Sequence, residues 1–299
     1  MTQSIRRAAA IGMFDGVHLG HRHLLQQLCA AASACRLQPM AVTFTAHPLA
    51  TIAPQRAPRL LMPPRERRQA LSALGVEVVA LEFTPELSAL TAQQFMAMMH
   101  ERYGVDMLML GFNNRIGHDR LTEPAQYQAA GRAVGVEVLV AEELAEPSGI
   151  SSSAIRRCLT EGNVDAAAVM LGRPYALQGR VVAGKQLGRT IGFPTANIAV
   201  EPAEMLIPAC GVYVAQADIN DESRCAVLNI GHRPTVDHSA TAALSVEVHL
   251  LDFQGDIYNQ LLRVNFIHRL RSERKFHSQQ ELRQAIAADV EQARRCSRG

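Results

Sequence analysis

Tryptophan is absent from this 299-residue chain, and aromatic residues make up only 5% of it. A pocket for a flat ligand therefore cannot be assigned from stacking side chains alone. The chain also lacks a charge bias: 30 Lys and Arg face 28 Asp and Glu, and the net charge of +2 excludes general attraction to nucleic acid or an anionic membrane. Anion binding has to be local. No stretch approaches the roughly 18 apolar residues of a membrane helix, and the run Ala8–Ile11 after Arg6 and Arg7 is too short for the apolar core of a secretion signal. The cysteines, Cys29, Cys35, Cys158, Cys210, Cys225 and Cys296, form no Cys-x-x-Cys pair and no spacing suited to zinc. Their scatter points to a reducing cytoplasm.

What the chain has is two different rhythms. Its length predicts two domains, since single cores stop growing near 250 to 300 residues. Up to about residue 170, strand-like runs at Pro39–Thr45, Val76–Leu81, Asp106–Gly111 and Val136–Val140 alternate with helical patterns over 21–36, 64–74, 91–103 and 124–134. That alternation predicts a doubly wound, Rossmann-like α/β domain over 1–170. After two short helices, Ser152–Thr160 and Val164–Leu171, come six strand runs opening at Gly179, Ala196, Gly211, Cys225, Ser245 and Leu262 with no helices between them. They predict a six-stranded antiparallel β-barrel over 171–299. Ser278 and Glu281 read as a capping box opening a closing helix that runs through Ala293. The boundary is expected within Gly162–Tyr175.

Two motifs carry chemistry. In the first, a strand ending at Ile11-Gly12, a tight turn through Phe14, Asp15 and Gly16, and a helix starting near Gly20 place N–H groups, His18 and His21 at a helix N-terminus, where anions are favoured. Glycine lets backbone approach phosphate oxygens closely. Taken alone, His18, His21 and His23 also read as ordinary loop histidines. The second motif, Gly184-Lys185-Gln-Leu-Gly188 followed by Gly192-Phe-Pro194-Thr195-Ala196-Asn197, offers a glycine cradle and two neutral oxygens suited to Mg2+ beside ATP phosphates. It is not a Walker loop. Two phosphate-handling sites on one chain suggest two consecutive reactions.

His18-Leu-Gly-His21 resembles the signature of nucleotidylyltransferases. Gly149-Ile-Ser151-Ser152-Ser153-Ala154-Ile-Arg156 is similar to the late phosphate clamp of that superfamily, although a serine run by itself reads more readily as a helix cap or flexible turn. The second motif resembles the phosphate loop of riboflavin kinases, as do Asn229-Ile-Gly231-His-Arg233, Val246-Glu247-Val-His249 and Arg271-Ser-Glu273-Arg-Lys275-Phe276. Over nearly its whole length the chain resembles the family of bifunctional riboflavin kinase/FMN adenylyltransferases, the bacterial FAD synthetases. The resemblance implies that the barrel transfers the γ-phosphate of ATP to riboflavin, and that the first domain joins FMN to AMP with release of pyrophosphate. It implies Glu247 as the kinase base, and His18 and His21 as catalytic groups of the other site. ATP would be held there by Gly12, Phe14, Asp15, Gly16, Asn113, Ser151, Ser152, Ser153 and Arg156, and in the kinase by Gly184, Lys185, Gly188, Thr195 and Asn197. Thr195 and Asn197 would also meet Mg2+, and Arg233, Arg271, Glu273 and Phe276 would meet flavin. Without the resemblance, Glu247 reads as a solvent-facing or salt-bridged strand glutamate and residues 271–276 as a charged loop.

The chain departs from the commoner family pattern at Met13, Ala46, Asn114, Ile116 and Ala154, and His47 reads either as a nucleotide contact or as a turn residue before Pro48. Two other readings follow. One is an enzyme with the kinase activity alone; the other is a flavin-sensing regulator without turnover, which loss of Thr195, Asn197 or Glu247 would mark. All three are present. An adenylyltransferase for another small molecule would explain His18 and His21 but not the second half.

Overall fold

The computed structural model describes residues 5–111, 115–184, 188, 191–220, 222–232 and 244–296. The chain divides into two compact units, Met1–Ser151 and Ser152–Gly299.

The first unit is built on five parallel strands, β1 (Arg7–Ile11), β2 (Gln38–Phe44), β3 (Glu77–Leu81), β4 (Val105–Leu110) and β5 (Glu137–Val140), ordered β3-β2-β1-β4-β5. Between them run α1 (Leu19–Ala34), α2 (Pro48–Ile52), α3 (Pro64–Ser72), α4 (Pro85–Ser88), α5 (Ala92–Tyr103) and α6 (Pro124–Arg132). Successive strand residues point to opposite faces, and both faces are covered. Ala8, Ala10, Met107 and Met109 pack with Leu24, Leu25 and Leu28 of α1 and Leu71 of α3. Ala9, Ile11, Leu108 and Leu110 pack with Phe95, Met96 and Met99 of α5 and Tyr127 of α6. The expected doubly wound fold is present. The chain runs from β1 to β2 and β3 on one side, then crosses to β4 and β5 on the other. The crevice outside the carboxyl ends of β1 and β4 is thus the switch point, where such sheets bind ligands.

Local signals explain the helix starts. His18 caps α1, which begins at Leu19 rather than near residue 21. Thr91 and Gln94 form a capping box, so α5 starts one residue after the expected 91. The short α2, α4 and a 3-10 turn at Pro54–Arg56 were not foreseen. Each opens on a proline and is too short to show a helical period.

The second unit contains α7 (Ser152–Glu161), α8 (Val164–Leu171), strands β6 (Ala176–Val182), β7 (Ala196–Val200), β8 (Gly211–Ile219), β9 (Glu222–His232), β10 (Leu244–Leu250) and β11 (Leu261–Arg271), and α9 (Gln279–Cys296). The strands form a closed antiparallel barrel ordered β10-β7-β6-β11-β8-β9, with β9 also paired to β10. Closure removes the sheet edges. Tyr213 and Phe266 meet edge to face at 5.3 Å among fully buried side chains. On the outer surface, Val290 and Ala293 of α9 pack on Val212, Val214 and Val227. Arg271 fixes this helix through a two-pronged ion pair with the buried Asp289, at 2.7 and 3.0 Å. The expected capping box at α9 is only half made. Ser278 Oγ accepts the Glu281 N–H, but the Glu281 carboxylate accepts the N–H of His277 instead of Ser278. By packing, α7 and α8 go with the barrel: the Ala209 N–H donates to Leu159 of α7, and His268 of β11 pairs with Asp165 of α8.

Candidate active sites

The turn from β1 into α1 is strained and buried. Phe14 (φ 51°) and Val17 (φ 41°) adopt the left-handed region along with Gly16 (φ 80°), and Val17 is β-branched. Three contacts hold it. Thr43 Oγ1 donates to the Met13 carbonyl at 3.1 Å, and both oxygens of the buried Asp15 carboxylate accept the Leu61 N–H at 3.0 and 3.1 Å. The Gly12 N–H donates to Val42.

Beyond the turn, the rings of His18 and His21 stack with centroids 3.5 Å apart, and Phe14 meets His21 edge-on at 5.2 Å. His18 Nδ1 accepts the backbone N–H of His21 at 3.3 Å, so a neutral His18 carries its proton on Nε2. His21 is held well below the ordinary histidine range by burial first, then by His18, then by the Arg67 guanidinium. Its Nδ1 is buried without a hydrogen-bond partner. Ile150, which precedes Ser151, lies 4.0 Å from where a Cβ on Gly20 would stand. The first signature and the beginning of the expected clamp therefore meet at the N-terminus of α1. Ser152, Ser153 and Arg156 lie on α7, in the second unit.

His47 caps α2, with Nδ1 accepting the Leu49 N–H at 3.1 Å. Ile116, at a position that the family more often fills with an aromatic residue, is buried in the core against Tyr127, whose hydroxyl accepts the Ile116 N–H. Asn113 and Asn114 lie outside the described residues.

On the barrel, strand register decides which side chains meet. Glu247 of β10 pairs with Asn197 of β7 on one side and Asn229 of β9 on the other. Directly paired residues share a face. These three therefore form one row, on the face of β10 opposite the buried Val246, Val248 and Leu250. Gly184 lies over that row: a Cβ there would stand 2.1 Å from Asn197 Nδ2. Gly188 is packed equally closely, its Cβ position falling 2.2 Å from the Phe193 carbonyl and 3.2 Å from Thr195 Oγ1. Glu273 reaches the same face of β9, with Oε1 2.3 Å from the Cβ position of Gly231. Arg271 is engaged by Asp289 and lies 5.6 Å from the Phe276 ring. Lys185 and Arg233 lie outside the described residues.

At one end of the barrel a cavity of about 590 Å³ is lined by Thr195, Ala196, Val248, Leu250, Phe253 and Tyr258, among others. Its size and largely apolar wall suit a small organic ligand. Among the described residues no three His, Cys, Asp or Glu side chains cluster as a metal site. A cation at Thr195 and Asn197 would thus draw on neutral oxygens and substrate phosphates, a donor set of the kind that Mg2+ accepts.

A riboflavin kinase family model matches residues 171–297, and an FAD synthetase model matches residues 1–154. The Escherichia coli K12 protein named bifunctional riboflavin kinase/FMN adenylyltransferase is 38% identical over 288 residues, covering 95% of this chain and 90% of its own. The chain belongs to the bifunctional riboflavin kinase/FMN adenylyltransferase family. A Bacillus subtilis member of this family is 33% identical over 297 residues, covering 97% and 92%. A crystal structure described as a macrolide-efflux protein from Streptococcus pneumoniae is also similar, with TM-score 0.87 and 32% identity over 97% of this chain and 94% of that one. Among the described residues of this family member, no helix is long and apolar enough to cross a membrane. Riboflavin kinase and adenylyltransferase domains use ATP, generally with a divalent metal.

Three features of this family member went unforeseen. Asn229 was noted only as part of a motif, and the β9–β10 register is what sets it beside Glu247. The cavity wall formed by 253–258 is a loop without a period to read. Arg67 had one signal: it lies four residues before the buried Leu71, on the same side of α3.

Proposed function

We propose that the barrel phosphorylates riboflavin to FMN and that the crevice of the parallel sheet then adenylylates FMN to FAD, with the functional division at 170/171. The observation that carries the kinase assignment is the single row Asn197–Glu247–Asn229 beneath Gly184. The ATP base and ribose occupy the cavity at the barrel end, and the phosphates run past Thr195 toward Asn197. Gly188 and Lys185 complete the phosphate loop, and Arg233, Arg271, Glu273 and Phe276 border the flavin, Arg271 chiefly by fixing the segment through Asp289. Glu247 accepts the proton of the riboflavin 5′-hydroxyl as that oxygen bonds to the γ-phosphorus and the bond to ADP breaks. Thr195 and Asn197 hold Mg2+, which supplies charge neutralisation on the phosphates.

At the sheet, a phosphate oxygen of FMN bonds to the α-phosphorus of a second ATP, and the α–β bond breaks to release pyrophosphate. His18 and His21 donate N–H groups to the phosphate oxygens as charge develops, alongside Gly12, Phe14, Asp15 and Gly16, whose turn is fixed before substrate arrives. The resemblance of their motifs assigns Asn113 to the same nucleotide and Ser151, Ser152, Ser153 and Arg156 to the departing pyrophosphate. We place the protein in the cytoplasm, consistent with six free thiols.

A chromatographic time course with riboflavin, ATP and Mg2+, repeated with FMN in place of riboflavin, tests both steps. FMN followed by FAD is expected. FMN that accumulates without FAD in either reaction refutes the second assignment.

A further inference from the structure

One buried charge in the crevice has no part in the chemistry above. Arg67, on α3, is 1% exposed. A guanidinium keeps its charge in a protein, so its burial is costly unless its donors are met. Nη2 donates to the Phe44 carbonyl at 2.6 Å, at the carboxyl end of β2. Nε and Nη1 have no hydrogen-bond partner. The charge interacts with the Asp15 carboxylate, which is itself 1% exposed and stands between the left-handed Phe14 and Val17. Backbone strain of this kind costs about 1–3 kcal/mol per residue and persists only where the surroundings enforce it.

We infer that Arg67 is a positioning residue for adenylyl transfer: from α3 it ties the end of β2 to the turn bearing His18 and His21, and it sets a fixed positive charge beside them. The inference rests on assigning adenylyl transfer to this crevice. Two properties of the site follow. Asp15 holds the turn through the Leu61 N–H, and the buried Arg67 charge attracts that carboxylate from α3, so nucleotide meets a preformed surface. In addition, burial first, then His18 and Arg67, oppose protonation of His21 in the free protein. Around Arg67 itself lie Asp15 on the turn and Arg68 on its own helix.

The test is the pH dependence of FAD formation from FMN and ATP in the full chain, measured for Arg67→Met and Arg67→Lys. Circular dichroism and thermal unfolding report folding of the first unit in each variant, because FMN formation reads only the barrel. Arg67→Met is expected to lower kcat/KM for ATP about 100-fold, the scale of a small misplacement at a reacting centre. It should also move the acid limb of the profile to higher pH, because His21 loses a cation that opposes its protonation. Arg67→Lys should restore most of the activity and return the limb. Activity of Arg67→Met within twofold of the parent overturns the inference. So does a Lys variant as impaired as Met with an unshifted profile, which would mean that only the shape of the arginine matters. His21→Ala, run alongside, separates the two levels: if it forms FAD normally, the assignment of the crevice itself fails.

Discussion

Replacing Gly184 by alanine is the sharpest physical test of the barrel site, because the clash can be read from the structure. The added Cβ would stand 2.1 Å from Asn197 Nδ2 and 2.8 Å from its Cγ, about 1.4 Å inside the ~3.5 Å at which such atoms touch. Asn197 is 6% exposed and is flanked by Glu247 on β10 and by Val182 on β6, so it has little room to swing away. Overpacking of this sort costs about 1–3 kcal/mol. Relief of the clash by displacing Gly184 would carry this glycine off Asn197. If the whole cost falls on ATP engagement, kcat/KM for ATP in FMN formation drops about 5- to 150-fold, at a factor of ten per 1.4 kcal/mol. Steady-state assays of FMN formation against ATP concentration measure this, with FAD formation from supplied FMN as the internal control. A kinase kcat/KM within twofold of the parent would refute the idea that Gly184 is required by its contact with Asn197. Equal loss of both activities would mean that the change unfolds the chain.

Other outcomes are expected on the same assays. Glu247→Gln should abolish FMN formation and leave FAD formation from FMN intact, and equal loss of both in a folded protein would sink the two-site assignment. His21→Ala should do the reverse, and unchanged FAD output would remove this histidine from the nucleotide site. Asp289→Asn weakens the ion pair that holds α9 to β11; hydrogen bonds to charged groups are worth about 1.5–3 kcal/mol, so thermal unfolding should shift down measurably, and an unchanged midpoint would show that Val290 and Ala293 alone secure the helix. His21 also links stability to pH. Its folded-state affinity for protons is depressed, so the unfolded chain binds more protons in mild acid; the contribution is fully present above the unfolded histidine pKa near 6.5 and is lost as pH falls below it. Denaturant titrations of the parent and His21→Gln across that range should converge toward low pH.

Much of this was legible in the chain because it is local. The turn from β1 to α1, the cap at Ser278 and the alternation of strands with helices depend on residues a few positions apart. Where local reading slipped, the reason is also local. α1 was expected to start near Gly20, but His18 Nδ1 accepts the His21 N–H and caps the helix, which opens at Leu19. Glu281 was expected to close its box on Ser278, but the His277 N–H lies within its reach. Period-two patterning told that Glu247 and Val248 occupy opposite faces. It carried no information about which strands stand beside β10.

By itself, the sequence determined two domains of different class, the glycine-rich turns that each site requires, and the residue types capable of phosphate chemistry. Only the tertiary structure decided the partnerships: Asn197 and Asn229 on either side of Glu247, Glu273 above Gly231, Arg271 with Asp289, and Arg67 between Phe44 and Asp15. Those partners lie 18 to 52 positions apart in the chain, and their meeting is fixed by strand order, register and helix packing, which depend on the balance of the whole core rather than on any short stretch of chain.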